Sequence, residues 1–176
     1  MKKRGYSSIG LYKPKDPASV GGVMRAASIY GASLVAIDGI RGRALRHSTN
    51  TTQAHRHIPS IVADDLLAIR PFDAQIVVVD LIEGATPLPD FVHPDRAFYI
   101  FGPEDGTLGA RHTSAAQHVV YVPGNMCMNL AATVNVILYD RMVKRGEWQG
   151  SSVVERQIEN LGVGGSIPPL ATIRGA

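Results

Sequence analysis

The chain has 176 residues, of which 45% are hydrophobic and 19% charged, with a net charge of +3. That is the balance of one folded domain with a sizeable core, and it excludes a disordered chain. No run approaches the roughly 20 apolar residues of a membrane span, and the basic start "MKKRGYSSIG" has no apolar stretch behind it to make a signal peptide. A single cysteine excludes an internal disulfide and leads us to expect a cytoplasmic protein.

In chain order, "SSIGLY" (7–12) reads as a first strand. "DPASVGGVMRAASIYGA" follows as a helix, with Ser19 as its expected N-cap, Val23, Ala26, Ala27 and Tyr30 at helical spacing and Gly31 at its end. "SLVAID" (33–38) is a second strand, completing a βαβ unit. A segment at 39–57 then carries Arg41, Arg43, Arg46, His47, His55, Arg56 and His57 with no acid among them. It is either a solvated loop or a surface that tracks phosphates. "IPSIV" (58–62) is expected as a strand and "DDLLAIRPF" (64–72) as a short helix.

The runs 75–81, 96–102 and 118–124 have continuously apolar interiors, as strands do when helices cover both faces of a sheet. Residues 126–145 read as a long final helix, with Leu130, Val134, Ile137 and Leu138 on one stripe. Alternating strands and helices give an α/β class with a largely parallel sheet. In such sheets ligands sit at the carboxyl ends of the strands, so the loops "DLIEGATPL" (80–88), "GPEDGTLG" (102–109) and "VPGNMCMN" (122–129) are the expected walls of one site. The six histidines show no ligand spacing with cysteine or acids, so no metal is expected.

Three stretches, in order, resemble the motifs of the SpoU-type branch of the SPOUT RNA methyltransferases. "SVGGVMRAASIYGA" is similar to Asn-x-Gly-x-x-x-Arg-Thr-Ala-x-x-Phe-Gly, with Arg25 on the motif arginine and Gly21 and Gly31 on its glycines. "FGPEDGTLG" is similar to Phe-Gly-x-Glu-x-x-Gly-Leu, with Glu104 on the glutamate. "YVPGNMCMNLAATVNVILYDR" resembles the third motif, with Asn129 on its asparagine. Ser19 stands where the family has asparagine, and Cys127 where it has serine. The resemblance implies a SPOUT fold with a C-terminal trefoil knot, a homodimer, S-adenosylmethionine as cofactor and methylation of a ribose 2′-hydroxyl in RNA.

On that resemblance, Arg25, Glu104 and Asn129 are the catalytic candidates. Leu81, Gly102, Gly106, Val122, Pro123, Cys127 and Met128 are the candidates for binding the cofactor. Leu81, Val122 and Met128 would give an adenine pocket its apolar walls, and the glycines would let the backbone approach the ligand closely. An arginine keeps its proton, so Arg25 suits electrostatic work better than a base's role. Its plain alternative is an exposed helix arginine. For Asn129 the alternative is an N-cap, and both roles can hold together. Cys127 reads as a small buried hydrophobe rather than a nucleophile. Arg41, Arg43, Arg46 and Arg56 are the candidates for contacting RNA.

With no RNA-binding domain ahead of residue 1, the expected target is a small one, tRNA in preference to rRNA. A second reading is an RNA-binding module of the same fold with little or no catalysis. The domain is expected to span residues 1–150. The tail at 151–176 has no clear pattern, and codons that could encode it resemble tRNA arms, so it is expected to be non-catalytic read-through into a tRNA gene.

Overall fold

The computed structural model describes residues 5–39, 57–103 and 106–147. Glu104, the four candidate RNA-contacting arginines and the tail at 151–176 lie outside the described residues.

The strands are β1 (Tyr6–Leu11), β2 (Val35–Asp38), β3 (Ser60–Ala63), β4 (Gln75–Val79), β5 (Thr86–Pro87), β6 (Arg96–Phe101) and β7 (His118–Tyr121). They form one sheet in the order β3-β2-β1-β6-β4-β7-β5, and every pairing is parallel. The helices are α1 (Pro17–Tyr30), α2 (Ala110–Ala115) and α3 (Leu130–Lys144). A short 3-10 turn at Leu88–Asp90 follows β5.

Side chains alternate across a sheet that is buried on both faces. Along β6, Ala97, Tyr99 and Phe101 join the larger core beneath α1 and α3, while Phe98 and Ile100 join the smaller core with Leu66 and Leu108. Gly10 is required by this packing, since a Cβ there would stand 2.9 Å from the Phe98 ring.

Helix α1 begins where Asp16 accepts hydrogen bonds from the backbone N–H groups of Ala18 (3.0 Å) and Ser19 (3.1 Å). The cap is therefore Asp16, and the expectation of Ser19 is corrected. Ser19 instead donates its hydroxyl to Asp16, and Pro17 fits the first helical position because it has no N–H to satisfy. Gly31 ends the helix in the left-handed conformation, as expected, at φ 70°.

The short helix expected over 64–72 is not formed. Asp65 accepts from the N–H of Leu67, and residues 66–69 make a turn that stops short of Pro71. The final helix starts at Leu130, four residues later than expected, because Asn129 takes an extended backbone (φ −65°, ψ 160°) and caps it. Two short elements, β5 and α2, were missed by the sequence pattern.

At the opposite end of the sheet from the strand carboxyl ends, buried His93, Tyr99 and Arg141 form a polar network with half-buried Asp140. Tyr99 Oη lies 2.7 Å from His93 Nδ1, and His93 Nε2 lies 2.9 Å from Asp140 Oδ2. Arg141 donates to Tyr99 and to the carbonyls of Tyr6, Pro94 and Asp95. It thereby ties α3 to the starts of β1 and β6.

Candidate functional site

The strands end almost in line. Val79 of β4 pairs with Phe101 of β6 and with Val120 of β7. The next residues along, Asp80, Gly102 and Tyr121, therefore emerge side by side at the carboxyl edge. Here a cleft of about 300 Å³ opens, walled by the loops that leave these three strands. This is the position at which open parallel sheets bind ligands, and the three loops are those the sequence singled out.

Leu81, Gly102, Gly106, Val122, Cys127 and Met128 line the cleft. Pro123 is exposed between Val122 and Gly124 and does not itself line it. Val79, Phe101 and Leu130 extend the apolar wall. Cys127 is exposed on the cleft surface, which corrects the expectation of a buried hydrophobe: it lies on the irregular loop before α3, where no layer of core covers it.

Sequence reading missed Asp80. Its carboxylate Oδ1 accepts from the N–H of Leu81 at 2.8 Å, and Oδ2 accepts from the N–H of Leu108 at 2.6 Å. Its own N–H donates to Val120 O at 3.0 Å. One side chain thus fastens the loop after β4 to the loop after β6. Leu108 is buried in the smaller core and holds the far side of the clamp. The available signal was position alone: Asp80 is the first polar residue after the apolar run "QIVVV". Tyr121 and Thr133 also line the cleft and were not singled out.

Asn129 is exposed, and its Oδ1 accepts from the N–H of Ala132 at 2.8 Å. Its capping role is thus seen directly. Arg25 is exposed on α1 and has no hydrogen-bond or ion-pair partner among the described residues. Three residues before it, Gly22 meets Ala131, in the first turn of the helix that Asn129 caps. The helix crossing therefore brings the Arg25 stretch of α1 and the start of α3 to the same region. A free guanidinium there remains available to an incoming anion.

A second group of polar side chains lies along the same edge, beyond β1. Asp38 is buried, and loss of solvent raises its carboxyl above the ordinary range. Burial likewise lowers the His112 imidazole. The Tyr12 and His112 rings pack with centroids 4.5 Å apart, and the Lys13 ammonium lies 4.8 Å from the Tyr12 centroid. Among the described residues no cluster of His, Cys, Asp and Glu could hold a metal ion, and no helix is long and apolar enough to cross a membrane.

The sequence model of the SpoU rRNA Methylase family matches residues 7–139. No curated protein matches the chain in sequence. Among solved structures, the SpoU methyltransferase AviRb from Streptomyces viridochromogenes is similar with a TM-score of 0.66 at 18% identity, covering 82% of this chain and 62% of that one. A protein solved for insight into the 2-OH methylation of C/U34 on tRNA has a TM-score of 0.67 at 19% identity, covering 81% of this chain and 92% of that one. The TrmH/SpoU tRNA modifying enzyme of A. aeolicus has a TM-score of 0.71 at 14% identity, covering 90% of this chain and 88% of that one. This chain thus spans less than two thirds of AviRb and most of the other two. The chain belongs to the SpoU rRNA Methylase family.

Proposed function

We propose that this SpoU-family chain methylates a ribose 2′-hydroxyl of RNA with S-adenosylmethionine, and that its target is a tRNA. The observation that carries the reading is the cleft at the ends of β4, β6 and β7. Among the described residues its walls are mainly apolar side chains and glycine backbone, with the neutral polar side chains of Asn125 and Thr133 and one carboxylate, that of Asp80. Such a lining suits a flat, apolar adenine with a cationic neighbour, and its volume lies near the lower end of the ~300–1,000 Å³ usual for small-molecule sites. Val79, Leu81, Val122 and Met128 would enclose the base. Gly102 and Gly106 would let backbone amides approach the sugar and the methionine part.

When bound, the cofactor supplies an electrophilic methyl group. The chain's own work is then alignment and charge. Arg25 would hold a phosphate beside the target ribose and stabilise the negative charge developing on the attacking oxygen. Glu104 would anchor substrate or backbone next to Arg25. Asn129 would add a hydrogen bond there while its Oδ1 keeps the cap. Arg41, Arg43, Arg46 and Arg56 would track the RNA backbone.

We further infer the family's C-terminal knot and a homodimer. The strand order supports the first, because β7 is seated between β4 and β5 after the chain has already crossed to β6. The exposed apolar side chains Ile29 of α1 and Tyr139 and Val143 of α3 support the second. Residues 1–150 would form the catalytic domain, with the tail outside it.

The test is to incubate the chain with total tRNA and methyl-labelled S-adenosylmethionine and to map 2′-O-methyl positions. Label in a single tRNA position is expected. Tight RNA binding without label in any RNA would favour the binding-module reading, to which Ser19 and Cys127 lend their weight.

A further inference from the structure

We propose that Asp80 makes the cleft discriminate by charge, holding the sulfonium cofactor more tightly than the neutral thioether left after methyl transfer. This rests on the methyl-donor reading above. Asp80 is the one charged side chain among the described residues that line the cleft. Among the described residues its neighbours there are apolar or neutral, and no cation pairs with it. Its position is fixed at three points, through the N–H groups of Leu81 and Leu108 and the carbonyl of Val120. Those two amide donors orient the carboxylate and leave its unit charge uncancelled.

Opposite it, Gly102 presents no side chain; a Cβ there would stand 3.5 Å from Asp80 Oδ2. A fixed charge in an apolar-walled cleft acts through a lower effective dielectric than water provides, so its attraction for a cation is amplified. Cofactor and product share every other group. They differ by one methyl and one positive charge, so the ratio of their affinities reports the charge effect separately from shape. The consequence is that methyl transfer itself weakens the grip of the site and favours release of the product.

The experiment is calorimetry on the full chain with S-adenosylmethionine and S-adenosylhomocysteine at low ionic strength. It compares the wild type with Asp80→Asn and Asp80→Glu. Asparagine can accept only one of the two amide bonds, so both affinities fall in Asp80→Asn. The cofactor-to-product preference should fall with them, by about five-fold, the scale of one partly exposed charge pair. Asp80→Glu keeps the charge and should keep the preference. In the wild type the preference should shrink as salt is raised, because the cleft is open to ions. That measurement stands even if the variants do not fold. Binding of both ligands with a preference that neither Asp80→Asn nor salt alters would overturn this proposal alone. Failure of the wild type to bind either ligand would overturn the methyl-donor reading, and the proposal with it.

Discussion

At the crossing of α1 and α3, a Cβ added to Gly22 would stand 2.7 Å from the Cβ of Ala131. Two helix backbones meet here with no room for a second methyl. Gly22→Ala gains up to about 1 kcal/mol of helix propensity but forces an overpacking that costs roughly 1–3 kcal/mol. A net loss of stability is expected, read as a lower urea midpoint with unchanged slope. Adding Ala131→Gly to Gly22→Ala should recover much of the packing cost, and additive losses in the double variant would show that the two residues do not meet.

Asn129 holds the start of α3 through its bond to the Ala132 N–H. Asn129→Ala should lower stability by about 1 kcal/mol, the usual cost of removing a cap. Asn129→Asp keeps a capping oxygen and should fold as well as the wild type. If methyl transfer survives fully in Asn129→Asp, the side-chain amide has no part beyond the cap. We expect transfer to fall sharply in both.

Arg25→Ala should abolish methyl transfer and leave cofactor affinity near the wild-type value, because Arg25 is exposed and is not among the residues lining the cleft. Arg25→Lys should also fail, since a point charge does not reproduce the planar fork that grips a phosphate. Calorimetry beside a transfer assay separates the two effects. Near wild-type turnover in Arg25→Ala would remove this residue from the mechanism.

His93 predicts an acid weakness. Burial pushes its imidazole down from 6.5 to about 4, with Arg141 and Lys144 adding to the effect and Asp140 opposing it. The unfolded chain therefore binds a proton near pH 6.5 that the folded chain refuses until about pH 4. Stability should fall as pH drops through that window, because the unfolded state holds more protons there. Melting temperatures from pH 7 to 4.5 should decline less steeply for His93→Gln than for the wild type. Equal slopes would mean that His93 takes its proton in the folded protein as readily as in the unfolded one.

For the basic segment, replacing Arg41, Arg43 and Arg46 by alanine should weaken RNA binding. The slope of log affinity against log salt should flatten by about 2 units, at roughly 0.7–0.9 per phosphate contact. Cofactor affinity should stay as it was. Filter binding at several salt concentrations decides this, and an unaltered slope would leave the segment a solvated loop.

The α/β class and the three site loops were legible in the sequence because their signals are local. Apolar runs mark buried strands, and glycine-rich stretches directly after them mark places where backbone can approach a ligand. Asn129 could be read as a cap on the same local grounds. Ser19 competes with Asp16 because both residue types cap well, and Pro17, suited to the first helical position, is the local signal that favours Asp16. Local pattern does not contain strand order, because the apolar runs at 75–81, 96–102 and 118–124 look alike and any of them could lie at the centre. The tertiary structure seats β7 against β4, which brings the 122–128 loop to the same cleft as Leu81 and Gly102. It also makes Asp80 a clamp on Leu108, 28 residues away, and joins His93 to Asp140 across 47 residues. Such bonds form between groups that only the packed sheet brings within reach, so no spacing along the chain announces them.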